Sequence, residues 1–104
     1  MLADEILSII MQMKRSHVFI TGKVQGVAFR AWIRHTALSL GLTGWVTNLP
    51  DGGVEAVFEG EAGQVEVMER RCAEGPPLAR VANTIVRPEA YREEFAGFHI
   101  LYKR

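Results

Sequence analysis

The tightest constraint on the fold lies in the middle of the chain, where "LTGWVTN" and "GVEAVFEG" are joined by "LPDGG". Both runs are rich in strand-forming residues, and the Pro-Asp-Gly order between them is a tight-turn signal, so residues 42–60 read as a β-hairpin. Helical patterns flank it on either side. Before the hairpin, Phe29, Ile33, Ala37 and Leu40 recur at spacings of four, four and three, an apolar stripe down a helix that ends at Gly41. After it, Val65, Met68 and Cys72 mark the inner side of a helix from about Ala62 to Ala73, with Glu66 and Arg70 placed for an exposed i,i+4 pair and "EGPP" as the stop. A strand over His17–Lys23 precedes the first helix, with Val18 and Ile20 on one face and His17, Phe19 and Thr21 on the other. The strand "ARVANTIVRP" follows the second helix, and "GFHILYK" alternates well enough for a short edge strand at the end. The order βαββαβ plus one edge strand predicts an α+β, ferredoxin-like split βαβ sandwich: one antiparallel sheet carrying two helices on one face. That fold hosts many functions and selects none of them.

The totals narrow the field. A chain of 104 residues builds one core, not two, and 48% hydrophobic with 23% charged residues is an ordinary globular composition. Twelve basic residues against twelve acidic ones remove the simplest electrostatic case for nucleic acid or an anionic membrane as partner. The single cysteine, Cys72, cannot form an internal disulfide, which suits a reducing, cytoplasmic setting.

The N-terminal "MLADEILSIIMQM" is apolar, but Asp4 and Glu5 stand where a secretory signal carries positive charge, and the run is too short to span a bilayer. Leu2, Ile6, Ile9 and Met13 fall at helical spacing, as in an amphipathic turn that packs on the domain or on a second copy. Equally, "MKRSHVFITG" reads as the beginning of the first strand, with Met11 or Met13 as the start. Residues 1–14 are therefore set apart as an extension and 15–104 as the domain.

The chemistry concentrates in "GKVQGVAFR", residues 22–30. A glycine-containing turn from a strand into a helix directs successive backbone N–H groups inward, and the helix start adds about half a positive charge, which together suit an anion. Gly22 and Gly26 reach backbone angles closed to other residues, and Arg30 brings a planar, permanently charged fork matched to two phosphate oxygens. Arg30 lies about 100° round from Phe29, off the buried stripe. A cation opposes the dipole at a helix start, which favours a bound anion as the reason for this arginine. The nucleotide P-loop is excluded, because no Gly-Lys-Ser/Thr ending is present.

"GKVQGVAFR", followed eighteen positions after its arginine by the asparagine of "GWVTNLPDGGVEAVFEG", resembles the two signature segments of the acylphosphatases. "GPPLARV" and the aromatic and aliphatic C-terminal run resemble that family too, so the likeness spans residues 15–103. It implies an enzyme, an acylphosphatase that hydrolyses a carboxyl–phosphate anhydride to carboxylate and inorganic phosphate without cofactor or metal. By position it makes Arg30 the phosphate-binding arginine and Asn48 the residue that places the attacking water. The backbone amides of Gln25, Gly26, Val27, Ala28, Phe29 and Arg30 take the remaining phosphate oxygens. Thr47 departs from the long side chain many members carry before the asparagine, which bears on substrate preference. The implied partner is a small acyl phosphate, and the chain is expected to act as a cytoplasmic monomer, without nucleic acid or membrane. The rivals are a ferredoxin-like binding module that keeps an anion pocket, and hydrolysis of carbamoyl phosphate.

Other chemistry-bearing residues have plainer readings. His17, His35 and His99 lack ligand spacing, so no metal site is expected. Cys72 lies on an inward stripe and reads as packing. Asp51 belongs to a turn, and Glu55 and Glu59 read as carboxylates on the exposed face of a strand. Without the family likeness Asn48 is only a common turn-preceding residue. Trp32 and Trp45 read as packing, with Trp45 a candidate for the pocket's border.

Overall fold

The structure, a computed structural model, describes residues 2–102. In chain order the elements are α1 (Leu2–Met11), β1 (Met13–Lys23), α2 (Phe29–Ser39), β2 (Thr43–Asn48), β3 (Val54–Glu61), α3 (Ala62–Glu74), β4 (Arg80–Glu89) and β5 (Phe98–Leu101). The five strands form one sheet in the order β4-β1-β3-β2-β5. Strands β1, β2, β3 and β4 pair antiparallel, as the hairpin and helix pattern requires, but β5 runs parallel to β2, with Gly44 opposite Phe98 and Thr47 opposite Leu101. The sheet is therefore mixed, not wholly antiparallel. The cause is the connection after β4: residues 90–97 cross from one edge of the sheet to the other, and the chain re-enters running the same way as β2.

Alternation decides which face each strand residue takes. Val18 and Ile20 of β1, Val46 of β2, Val54, Ala56 and Phe58 of β3 and Phe98 of β5 all point to one side. There they meet Phe29, Ile33 and Ala37 of α2 and Val65, Met68 and Cys72 of α3 in a single buried core. The helical stripes read from the sequence are thus the inner faces of α2 and α3. Cys72 is buried among them, and burial pushes its thiol pKa up, which fits packing and not nucleophilic chemistry.

Three details differ from expectation. The first strand begins at Met13, four residues before His17, so Met13 belongs to β1 and not to a helical stripe with Leu2 and Ile6, which are exposed; the side chain of Ile9 lies outside the described residues. Glu66 lies 3.8 Å from Lys14 on β1 and makes no ion pair with Arg70. Glu59 is buried, not exposed: residues 90–97 pass over it, and its carboxylate accepts the N–H groups of Arg92 and Glu94 at 2.7 and 3.0 Å. A sheet face that alternation alone leaves open is covered there by a strap from a distant part of the chain.

Candidate active site

Strands β1 and β2 both end at one rim of the sheet, and α2 begins above it. The link from β1 to α2 is the motif loop. Its entry is bulged: the β1–β4 register shifts between Thr21 and Gly22. Gly22 has φ +124°, and a Cβ there would lie 2.2 Å from the Arg80 carbonyl oxygen, so only glycine fits. Further on, Gly26 (φ +74°) and Ala28 (φ +61°) adopt left-handed backbone while Gln25, Val27 and Phe29 do not. Alternation of this kind turns successive N–H groups to one side, the concavity that receives anions. The N–H groups of Gln25 to Arg30 donate to no protein acceptor among the described residues.

The cleft beside this loop measures about 160 Å³. Gln25, Gly26, Ala28, Phe29 and Arg30 line it from the loop and helix start, Asn48 from the end of β2, and Ile100 and Tyr102 from β5 and the residue after it. The tertiary structure thus brings Arg30, at the start of α2, and Asn48, at the end of β2, to one cavity. Val27 does not line it; that side chain packs against the core. Thr47 is also absent from the cleft. Facing the other side of β2 from Asn48, it is buried and donates its hydroxyl to the Leu101 carbonyl at 2.9 Å, so its role is to hold β5 against β2. Trp45 shares that far face, edge-on to His17 at 5.9 Å, and does not border the cleft. Trp32 packs edge-on to Phe29 at 5.5 Å behind the loop.

Two features of the site bear directly on chemistry. The Asn48 Oδ1 atom is buried and has no hydrogen-bond partner among the described residues, a costly state for an amide oxygen unless something in the cleft donates to it. Arg30 has no carboxylate within ion-pair distance among the described residues; its contact there is the ring of Tyr102, 4.9 Å from the guanidinium carbon.

Sequence reasoning missed the clamp that holds these parts together. The Gln25 side-chain amide donates to the carbonyls of Leu49 and Gly53, both at 2.8 Å, tying the motif loop to the β2–β3 turn just past Asn48. Gln25 is a polar residue inside the motif, between Val24 and Gly26, but its partners lie 24 and 28 positions away. Among the described residues no cluster of three or more His, Cys, Asp or Glu is grouped to hold a metal ion.

Comparison with known proteins gives the family. The acylphosphatase family model matches residues 16–100. The chain belongs to the acylphosphatase family. It is 51% identical over 94 residues to the acylphosphatase of Syntrophobacter fumaroxidans, covering 90% of this chain and 97% of that relative. It is 55% identical over 89 residues to that of a Nostoc species, covering 86% and 87%. Among solved structures, the acylphosphatase from Coxiella burnetii superposes with a TM-score of 0.83 at 37% identity, covering 88% of this chain and 95% of that one. A full-length HypF, described in a phosphate- and nucleotide-bound form, gives a TM-score of 0.75 at 29% identity, but the match takes only 12% of that longer chain. The acylphosphatase-type α+β fold and an acyl phosphate hydrolase activity follow from membership.

Proposed function

We propose that the chain hydrolyses small acyl phosphates without a metal, by in-line attack of a water that Asn48 orients on a phosphorus held by Arg30 and the loop amides. The observation that carries this reading is the buried Asn48 Oδ1 in the same cleft as the N–H groups of Gln25 to Arg30, none of them with a hydrogen-bond partner among the described residues. An amide oxygen accepts a hydrogen bond from one water proton and leaves the water's lone pair free for phosphorus, so Asn48 aims the nucleophile without acting as a strong base.

The chemistry asks for little more. The water oxygen forms a bond to phosphorus as the bond from phosphorus to the acyl oxygen breaks, its electron pair leaving with the carboxylate; the water's proton passes to the phosphate or solvent. A carboxylic acid has a pKa of about 4 to 5, so the departing oxygen needs no general acid at neutral pH. Phosphoryl transfer then rests on placing the nucleophile in line and balancing charge on the equatorial oxygens. Arg30 supplies a fixed positive charge, and the loop amides, converging at the start of α2, add oriented dipoles.

Purified protein in EDTA is expected to hydrolyse benzoyl phosphate, with inorganic phosphate a competitive inhibitor. Arg30→Ala and Asn48→Ala each remove nearly all turnover while the far-UV circular dichroism stays that of the parent. Wild-type turnover in Asn48→Ala would overturn the water-placing role. Rates on acyl phosphate, carbamoyl phosphate and ordinary phosphate esters, measured side by side, define the substrate; the likeness to a HypF segment is the reason to include the carbamoyl arm.

Residues 15–104 form the catalytic domain and residues 1–14 an extension to it. The enzyme works as a monomer on a freely diffusing substrate in the cytoplasm. In support, the formal net charge is zero, and on the sheet face away from the helices Glu55 and Glu89 pair with His17 and Arg15, so that among the described residues that face carries no unopposed basic patch of the kind a nucleic-acid binder presents. No helix among the described residues is long and apolar enough to cross a membrane. Sedimentation at micromolar protein and a gel shift at moderate salt test the monomer and the absence of nucleic-acid binding.

A further inference from the structure

We propose that Tyr102 is a positioning residue for Arg30. The inference rests on the phosphate-binding role given to Arg30 above and goes beyond it. Neither the motif segments nor the strand pattern assigns Tyr102 any part in the site.

Three observations carry it. The Tyr102 ring lies 4.9 Å from the Arg30 guanidinium carbon, within cation–π range, and both residues line the cleft. Tyr102 is 76% exposed, so core packing does not call for an aromatic there. Its place is also fixed by the fold. In the parallel β2–β5 register Thr47 faces Leu101, so the next residues, Asn48 and Tyr102, stand side by side at the rim. One turn along α2, Arg34 Nε donates to the Phe98 carbonyl at 2.9 Å and sets the helix against the same strand.

The physical consequence concerns entropy and orientation. An arginine side chain has many rotamers, and freezing them on binding costs affinity unless the side chain is held beforehand. A ring against the guanidinium attracts the charge without using any N–H, so every donor stays available for phosphate oxygens. A carboxylate in that place would hold Arg30 more strongly but would compete with the substrate's charge. The aromatic ring positions the cation and leaves it unneutralised.

The test uses the full chain with Tyr102→Ala and Tyr102→Phe, each in the parent and in Arg30→Ala. Inorganic phosphate binding is read by calorimetry, and KM and kcat on benzoyl phosphate by release of benzoate. Tyr102→Ala is expected to weaken phosphate binding and raise KM by roughly 3- to 5-fold, Tyr102→Phe to restore both to within about 1.5-fold, and thermal stability to stay near the parent's. In the Arg30→Ala background, Tyr102→Ala adds nothing to the loss of phosphate binding. The inference is overturned if Tyr102→Ala binds phosphate as the parent does, if Phe does not rescue it, or if the effect persists undiminished without Arg30. Retention of phosphate binding in Arg30→Ala alone would instead remove the arginine's assigned role, a separate failure.

Discussion

The two ends of the sheet handle charge in opposite ways. At the rim with the cleft, Arg30 is left without an acidic partner among the described residues, and an amide oxygen is buried without a donor. At the other end, where β1 and β4 pair and the 90–97 strap crosses, the charged groups answer one another. Arg15 bonds Glu89 at 2.8 Å and Glu94 at 2.6 Å, lies 3.5 Å from buried Glu59, and has the Phe95 ring 5.0 Å from its guanidinium carbon. His17 sits between Glu55 at 2.7 Å and Glu89 at 2.9 Å. Burial opposes the charge on Arg15, yet bonds to Glu94 and Glu89 outweigh it and raise the pKa, while Arg15 and then His17 hold the Glu89 carboxyl below its ordinary value. Satisfied charges fasten the strap that leads into β5. At the cleft rim the polar groups are left without such partners among the described residues, as the proposed anion site requires.

This contrast breaks cleanly under mutation. The largest expected effect is at the cleft: Arg30→Ala lowers kcat/KM on benzoyl phosphate by about 10³-fold or more, with the melting temperature within a few degrees of the parent, because no protein contact of an ion pair is lost. At the other end the order reverses. Glu59→Ala leaves the N–H groups of Arg92 and Glu94 without their acceptor and takes one of three carboxylates from buried Arg15, and should destabilise by about 3 kcal/mol, lowering Tm by roughly 10 °C or more, while kcat at 25 °C changes little. A variant that lost activity and stability together at either position would end the separation.

A smaller effect sharpens it through pH. A carboxyl whose folded pKa is depressed adds stability above its unfolded pKa and loses that contribution as pH falls through the folded value. Glu89 is such a group, starting from an ordinary 4.5. Stability from urea unfolding should therefore fall below about pH 4.5, and Glu89→Gln should flatten the fall in that window by up to about 1 kcal/mol, since the side chain is partly exposed. An unchanged slope would show that Arg15 and His17 bind Glu89 no better folded than unfolded. Smallest is Gly26→Ala, expected to cost about 1 kcal/mol: nothing lies within 4 Å of a Cβ there, and only the left-handed backbone resists. Gly22→Ala, which drives a methyl into the Arg80 carbonyl, should cost several times as much.

The two ends were also unequally legible. The cleft end was written in local signals: the motif loop, the helix stripe behind it and the hairpin all act over a few residues, and the spacing from Arg30 to Asn48 was visible directly. The Gln25 clamp and the Tyr102 contact were not, because their partners are set by strand register. The strap end was misread. Glu59 alternates with buried neighbours as an exposed residue does, and nothing nearby announces that residues 90–97 will cover it.

Sequence alone determined the elements from β1 to β5, their order, the inner faces of both main helices and the family, since each depends on short-range periodicity, turn chemistry or a contiguous motif; it left residues 1–14 open. The tertiary structure decided that β5 pairs parallel to β2, that Glu59 is buried, and that Tyr102 lies against Arg30 beside Asn48. Those outcomes depend on where a chain returns after crossing the sheet, and long-range register is settled by the packing of the whole domain, not by any one segment of it.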